Sequence, residues 1–236
     1  MQLTIHDVAK GFDVSEKTVY RWLGQNALPA YKINDQYRFS RSELLEWAAA
    51  RKMKVHLEFL SGENGEDGDL PALSDAVKAG GIYYHVGGTD RDIVLRNIVD
   101  VMKLPESIDR EFIWQILVAR EKMASTGIGD GIAIPHVRNP VILNNIPYPV
   151  VTLCFLEKPI EFGALDGKPV HCLFSLICPT ARIHLHIISR LAFILRDEEF
   201  KELVLKHASE PGIINGIERA EARLTGVKKE GAAAEV

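Results

Sequence analysis

The stretch Ser125-Thr126-Gly127-Ile128-Gly129-Asp130-Gly131-Ile132-Ala133-Ile134-Pro135-His136-Val137-Arg138 decides how the rest of the chain is read. Three glycines alternate with other residues, a short apolar run follows, and Pro135 leads to a single histidine. Glycines at this density admit backbone conformations closed to other residues, so the stretch reads as a turn feeding a strand over 132–134. Pro135 biases Ile134 towards an extended backbone and so sets the direction in which His136 leaves the strand. The pattern predicts one imidazole delivered to the surface with backbone N–H groups close by.

On either side of this stretch the apolar pattern alternates between two periods. Residues 73–79 read as a short helix stopped by Gly80-Gly81, and 82–86 as an apolar strand. Thr89 is placed to cap a helix to about 102 with Val94, Ile98 and Val101 on one face, and Pro105 breaks it. A helix to 120 or 123 follows, with Ile113, Ile116 and Leu117 inward. Beyond the glycines, 150–156 and 170–178 read as strands, the second apolar enough to be buried on both faces. Helices are expected around Ile183 to Leu195, over 198–207 and over 213–223, with a frayed tail. Strands interspersed with helices imply an α/β body, a mixed sheet flanked by helices.

Composition divides the chain. Of 236 residues, 47% are apolar and 25% charged, the balance of a soluble globular protein. No apolar run reaches membrane-spanning length, and Asp7 and Lys10 interrupt the N-terminus too early for a signal peptide, so a cytoplasmic protein with no membrane contact is expected. Cys154, Cys172 and Cys178 lie in apolar runs and read as buried thiols. The net charge of −4 is unevenly spread. Residues 1–54 carry nine basic and six acidic side chains, whereas 55–70 carry five acidic and no basic ones. The expected organisation is a head over 1–54, a flexible acidic linker over 55–69, a body over 70–225 and a disordered tail over 226–236.

Several chemistries are excluded. The glycines form GxGxG rather than GxGxxG and precede the strand, so the dinucleotide fingerprint fails. Gly163 to Pro169 is one residue short of a P-loop and has proline where a hydroxyl must meet magnesium. His184 and His186 are two apart on a helix and do not share a face, and neither HExxH nor CxxC occurs, so no metal or other cofactor is expected. Ser125 and Ser175 lack a nucleophile elbow. Histidine phosphorylation remains. A neutral imidazole nitrogen is nucleophilic near physiological pH. It needs exposure to a donor, N–H groups for the phosphoryl oxygens, for which Thr126, Gly127, Gly129 and Gly131 are the candidates, and a nearby cation. A lone loop histidine beside an ordinary turn accounts for the same residues equally well.

In the head, Thr4 with Asp7 caps a helix over 5–11 and Ser15 caps a second over 16–24, where Val19, Trp22 and Leu23 face inward. Tyr31-Lys32-Ile33 and Tyr37-Arg38-Phe39 alternate as two short strands, and Ser40-Arg41-Ser42-Glu43 is a capping box for a third helix. This is a small, mainly α winged helix-turn-helix pattern. Through Leu3-Thr4, Val14-Ser15, Thr18-Val19-Tyr20-Arg21-Trp22, Leu28-Pro29-Ala30, Tyr37-Arg38-Phe39 and Glu46-Trp47 it resembles excisionase or MerR-type DNA-binding heads. The resemblance implies that Lys17, Thr18 and Arg21 enter the major groove while Lys32, Arg38 and Arg41 meet phosphates. The small positive charge implies weak binding by one copy and a homodimer on a specific site.

The body resembles EIIA domains of the fructose–mannitol class of the phosphoenolpyruvate-dependent phosphotransferase system (PTS), and most of all the nitrogen-regulatory branch. The resemblance rests on Leu73-Ser74-Asp75-Ala76, Gly80-Gly81-Ile82, Arg120-Glu121, Ser125 to Gly129, Gly131 to His136, Ala164-Leu165-Asp166-Gly167 and His184-Leu185. It implies that His136 accepts a phosphoryl group from a phosphorylated HPr-like carrier, with Arg120 balancing charge and His184 hydrogen-bonding the phosphoryl group. Asp130 stands where the family often has asparagine and is expected to point away, and His186 is expected to be an exposed bystander. Joined to the head, this implies a regulatory phosphotransferase-system component whose state alters DNA binding or the choice of a target protein in nitrogen and carbon regulation. The alternative is a sugar-transport EIIA that relays phosphate to EIIB.

Overall fold

The computed structural model describes residues 3–25, 28–33, 36–39, 43–44, 47–48, 51, 53, 70–137 and 146–233. The chain divides into two compact units, Met1–Leu70 and Pro71–Val236.

The first unit contains α1 (Ile5–Gly11), α2 (Glu16–Gly24) and an antiparallel hairpin of β1 (Tyr31–Ile33) and β2 (Gln36–Arg38). Thr4 and Asp7 form a reciprocal capping box, and Ser15 Oγ accepts the Thr18 amide at 3.2 Å. These bonds satisfy amides that a helix start otherwise leaves without partners. Leu3 and Phe39 exchange both backbone bonds at 3.0 Å, tying the chain start to the wing. Val8, Val19, Leu28, Leu44 and Ala48 fill the core with Phe39. Trp22 and Trp47 pack with ring centroids 5.2 Å apart and planes tilted at 57°, with Phe12 edge-on to both. Glu43, Leu44, Trp47 and Ala48 are helical and buried, while Ser40, Arg41 and Ser42 lie outside the described residues, as does the 55–69 linker.

The second unit is a five-stranded mixed sheet between two helical layers. Its elements are α3 (Leu73–Gly80), β3 (Ile82–Val86), α4 (Arg91–Val101), α5 (Arg110–Met123), β4 (Gly127–Gly129), β5 (Ile132–Ala133), β6 (Val150–Ile160), β7 (Val170–Ile177), α6 (Ala181–Ile194), α7 (Glu198–Leu205) and α8 (Glu210–Ala233). The strand order is β3-β6-β7-β5-β4. β6 and β7 pair antiparallel at the centre, and β3 joins β6, and β5 joins β7, in parallel.

The period-2 alternation of the central strands builds both layers. Leu153, Phe155, Cys172, Phe174 and Leu176 pack against α3, α6, α7 and α8. Cys154, Leu156, Leu173 and Ile177 pack against α4 and α5. With both faces covered, these strands read as continuous apolar runs. The three cysteines are free and buried, and desolvation pushes the Cys154 and Cys178 thiols up to about 12, so they are packing residues.

Three expectations change. The helix after β3 is capped by Asp90, not Thr89: Asp90 Oδ1 accepts the Ile93 amide at 3.0 Å. β6 continues to Ile160. The terminal helix begins at Glu210 and runs to Ala233, through most of what reads as tail. Among the described residues no helix is long and apolar enough to cross a membrane.

Candidate functional site

His136 stands at the C-terminal end of the line that β5 begins. The parallel register is unbroken, with Ile132 opposite Cys172, Ala133 opposite Leu173 and His136 opposite Leu176. The Leu176 amide donates to the Pro135 carbonyl at 2.9 Å, which keeps the extended path that Pro135 favours. The imidazole turns back on its own strand, its Nδ1 2.8 Å from the Ile134 carbonyl oxygen. A carbonyl only accepts, so Nδ1 carries the hydrogen and Nε2 is the unprotonated nitrogen of the neutral ring.

His184 comes from the first turn of α6, which Thr180 caps by accepting the Ile183 amide at 3.2 Å. Its ring meets that of His136 with centroids 5.3 Å apart and planes at 44°. The structure therefore brings together two histidines 48 positions apart in sequence. Both are 2% exposed, so the expectation of a surface imidazole is corrected. His136 lies along β7 with the α6 ring against it, which removes it from solvent.

The glycines shape a tight hairpin. β4 and β5 form a hairpin with Asp130-Gly131 at its tip, where φ is +54° and +74°. A side chain on Gly131 would also place its Cβ 2.3 Å from the His171 ring. From Gly131 the chain runs five extended residues to His136, about 16 Å at the usual rise per strand residue. Gly129 and Gly131 therefore sit at the far end of the strand from the imidazole. Asp130 points away from it as expected, its carboxylate 3.6 Å from Lys201 on α7.

Thr126 is near His136, since its carbonyl accepts the Ile134 amide at 3.0 Å, but its own donors are taken. The buried Glu121 carboxylate accepts the Thr126 amide at 3.0 and 3.1 Å and the Thr126 hydroxyl at 2.6 Å. The Gly127 amide donates to Ser125 Oγ at 3.0 Å, and Ser125 donates to the Phe162 carbonyl at 2.7 Å. Of the four expected phosphate donors, Thr126 and Gly127 thus have their amides engaged in this state, and Gly129 and Gly131 stand at the hairpin end of the strand.

Glu121 is the residue whose role sequence reasoning missed. Its signal was position: a glutamate in the last turn of a helix opposes the helix dipole, so a specific partner must hold it there. Arg120, its neighbour, is half-buried, and its Nη1 donates to the Ala124 carbonyl at 2.8 Å, closing α5. His186 is not an exposed bystander. It is half-buried, and its Nε2 lies 3.1 Å from the Pro71 carbonyl. Among the described residues no group of three or more His, Cys, Asp or Glu could hold a metal ion.

On the head, Lys17 and Arg21 are exposed on α2, while the Thr18 hydroxyl lies 3.0 Å from Ser15 Oγ within the cap. Arg38 folds back along its strand, donating to the Tyr37 carbonyl at 3.1 Å and to Gln36 Oε1 at 2.5 Å. Lys32 is on β1, its side chain outside what is described, and Arg41 lies outside the described residues.

Comparison with known proteins meets this geometry. A nitrogen regulatory protein of Pseudomonas aeruginosa is 39% identical over 127 residues, covering 52% of this chain and 79% of the relative. The fructose-specific EIIABC component of Bacillus subtilis is 30% identical over 137 residues, covering 57% of this chain but 21% of its own length. The crystal structure of nitrogen regulatory protein IIA-Ntr from Neisseria meningitidis superposes with a TM-score of 0.51 at 25% identity, over 63% of this chain and 97% of that one. A helix-turn-helix domain matches residues 3–52. With residues 77–220, more than half of its length, matching the EIIA 2 family of the phosphoenolpyruvate-dependent sugar phosphotransferase system, the chain belongs to that family, as a nitrogen-regulatory type with a helix-turn-helix domain ahead of the EIIA domain.

Proposed function

We propose that the chain is a cytoplasmic regulatory phosphocarrier in which His136 accepts a phosphoryl group from a phosphorylated HPr-like protein and its state is read through DNA binding by the head. The observation that carries this reading is the anchored imidazole: Nδ1 on the Ile134 carbonyl leaves Nε2 as the nucleophile, beside His184. Nε2 attacks phosphorus, the carrier's P–N bond breaks with its electron pair returning to the carrier's imidazole, and a P–N bond forms on His136. His184 hydrogen-bonds a phosphoryl oxygen and Arg120 balances its charge. Because the ring is 2% exposed, transfer requires a state in which Nε2 is uncovered. Glu121 and Thr126 hold the strand rather than the phosphate.

On this reading Lys17 and Arg21 enter the major groove of DNA from α2, with Thr18 confined to the helix start. Lys32, Arg38 and Arg41 meet the backbone, and a dimer supplies the second half-site. The test uses phosphorylated HPr carrying radioactive phosphate. Label should reach the wild type and fail on His136→Ala. A wild type that no HPr-type carrier labels overturns the phosphocarrier reading. Binding to the chain's own promoter DNA should weaken with salt and with Lys17→Ala or Arg21→Ala, and its absence at low salt overturns the DNA reading.

The fructose-specific Bacillus relative favours a second reading, a sugar-transport EIIA. Passage of label from His136 to an EIIB would select it.

A further inference from the structure

Helix α6 reaches two places. Its first turn sets His184 against His136. Further along, His186 and Arg190, one helical turn apart, hold the segment with which the second unit begins. His186 Nε2 donates to the Pro71 carbonyl at 3.1 Å. Arg190 Nη1 lies 3.4 Å from Glu221 Oε1, and that buried carboxylate accepts the Leu73 and Ser74 amides at 2.9 and 3.2 Å. Helix α3 has no side-chain cap of its own, since its N-cap is Ala72. The start of α3 is therefore capped from α8 and clamped from α6. The head is covalently joined through this same segment.

We propose that α6 couples the phosphorylation state of His136 to the anchoring of residues 71–74, the point from which the head is tethered. This rests on the phosphocarrier reading and adds the route by which the site would act on the rest of the chain. A phosphoryl group on Nε2 brings about two negative charges to the His184 turn of α6. A packed helix does not deform continuously, so an adjustment at His184 is passed along its axis to His186 and Arg190. His186 then loosens or tightens its bond to Pro71, and Arg190 alters the position of the Glu221 carboxylate that caps α3. The coupling has a physical path of contacts from one end to the other.

The test is hydrogen–deuterium exchange of the full-length chain, read on peptides covering 70–80, before and after transfer from phosphorylated HPr. Incorporated radioactive phosphate is measured in parallel. Phosphorylation should change the exchange rate of the Leu73 and Ser74 amides about 5-fold or more, the lower end of common coupling factors. His186→Ala should take up label as the wild type does and lose that change. His186→Gln, which keeps an N–H donor for the Pro71 carbonyl, should retain it, so a general loss of folding is not mistaken for loss of coupling. Label on His136 with unchanged exchange at Leu73 and Ser74 overturns this inference alone. So does a response that survives in His186→Ala. Absence of label overturns the phosphocarrier reading and takes this inference with it.

Discussion

The sheet carries a pair of histidines near each end of the β5–β7 line, and the pairs differ in everything except spacing. His136 and His184 have ring centroids 5.3 Å apart, and His171 and His207 have theirs 5.4 Å apart. The first pair is buried, one ring tied to its own strand and the other in a capped helix start. The second pair lies beside the hairpin tip, where His207 Nε2 is 3.4 Å from His171 Nδ1. His207 adopts a φ of +50° and rests on Phe155 at 4.6 Å. Proximity of two imidazoles thus says little about chemistry. What separates the pairs is how each ring is held: His136 by a backbone carbonyl that sets its tautomer, His171 and His207 by each other together with the Asp130 backbone and the Phe155 ring.

The sharpest way to break this contrast is to remove one ring from each pair. His136→Ala should abolish labelling by phosphorylated HPr, and His207→Ala should leave it within about 2-fold, as expected for a site 10 Å or more away with no shared partners. Equal loss in both would erase the distinction. His184→Ala comes next, with a fall of about 100-fold in the transfer rate, the common cost of removing one hydrogen-bond donor to developing charge. A rate unchanged in stopped transfer assays would reduce His184 to a packing residue.

Glu121 supports only the first pair. Glu121→Ala leaves the Thr126 amide and hydroxyl buried without an acceptor, so unfolding in urea should show a loss of about 2–3 kcal/mol. At the other end, Gly131→Ala meets both a positive φ and the His171 ring, and should cost about 1–3 kcal/mol while labelling of the folded fraction is retained. If Gly131→Ala instead removed labelling from fully folded protein, the hairpin tip would belong to the site after all.

The smallest effect concerns pH. Burial, and then the neighbouring His207, push the His171 pKa below the ordinary histidine value of 6.5, against a raising contribution from the Asp130 backbone. A depressed histidine pKa means that the unfolded chain binds more protons than the folded one. Stability attributable to His171 is therefore present above pH 6.5 and lost as pH falls from there through the lowered folded value. The loss should stay below about 1 kcal/mol for a partly exposed group, and His171→Gln should flatten that segment of a stability–pH profile measured by urea unfolding.

The contrast also separates what was legible from what was not. The α/β class, the positions of β3, β6 and β7, the caps at Thr4 and Ser15 and the stretch ending in His136 are local: periods of two and 3.6, turn residues and capping side chains announce themselves in a few neighbouring letters. The glycine-rich stretch was legible as a turn, but the partners of its amides were not. Nothing in GxGxG states that Glu121 has already claimed the Thr126 amide, or that Ser125 accepts the Gly127 amide.

The sequence by itself determined which imidazole stands on an extended, proline-guided segment, which faces of each strand are apolar, and where the capped helices α1 and α2 begin. Only the tertiary structure decided that His184 meets His136, that both are buried, that Glu121 claims the Thr126 amide, and that His186 and Glu221 clamp the start of the second unit. The reason is register. Strand pairing and helix packing join residues tens to more than a hundred positions apart, and their partners are chosen by the fit of whole apolar faces rather than by any local signal.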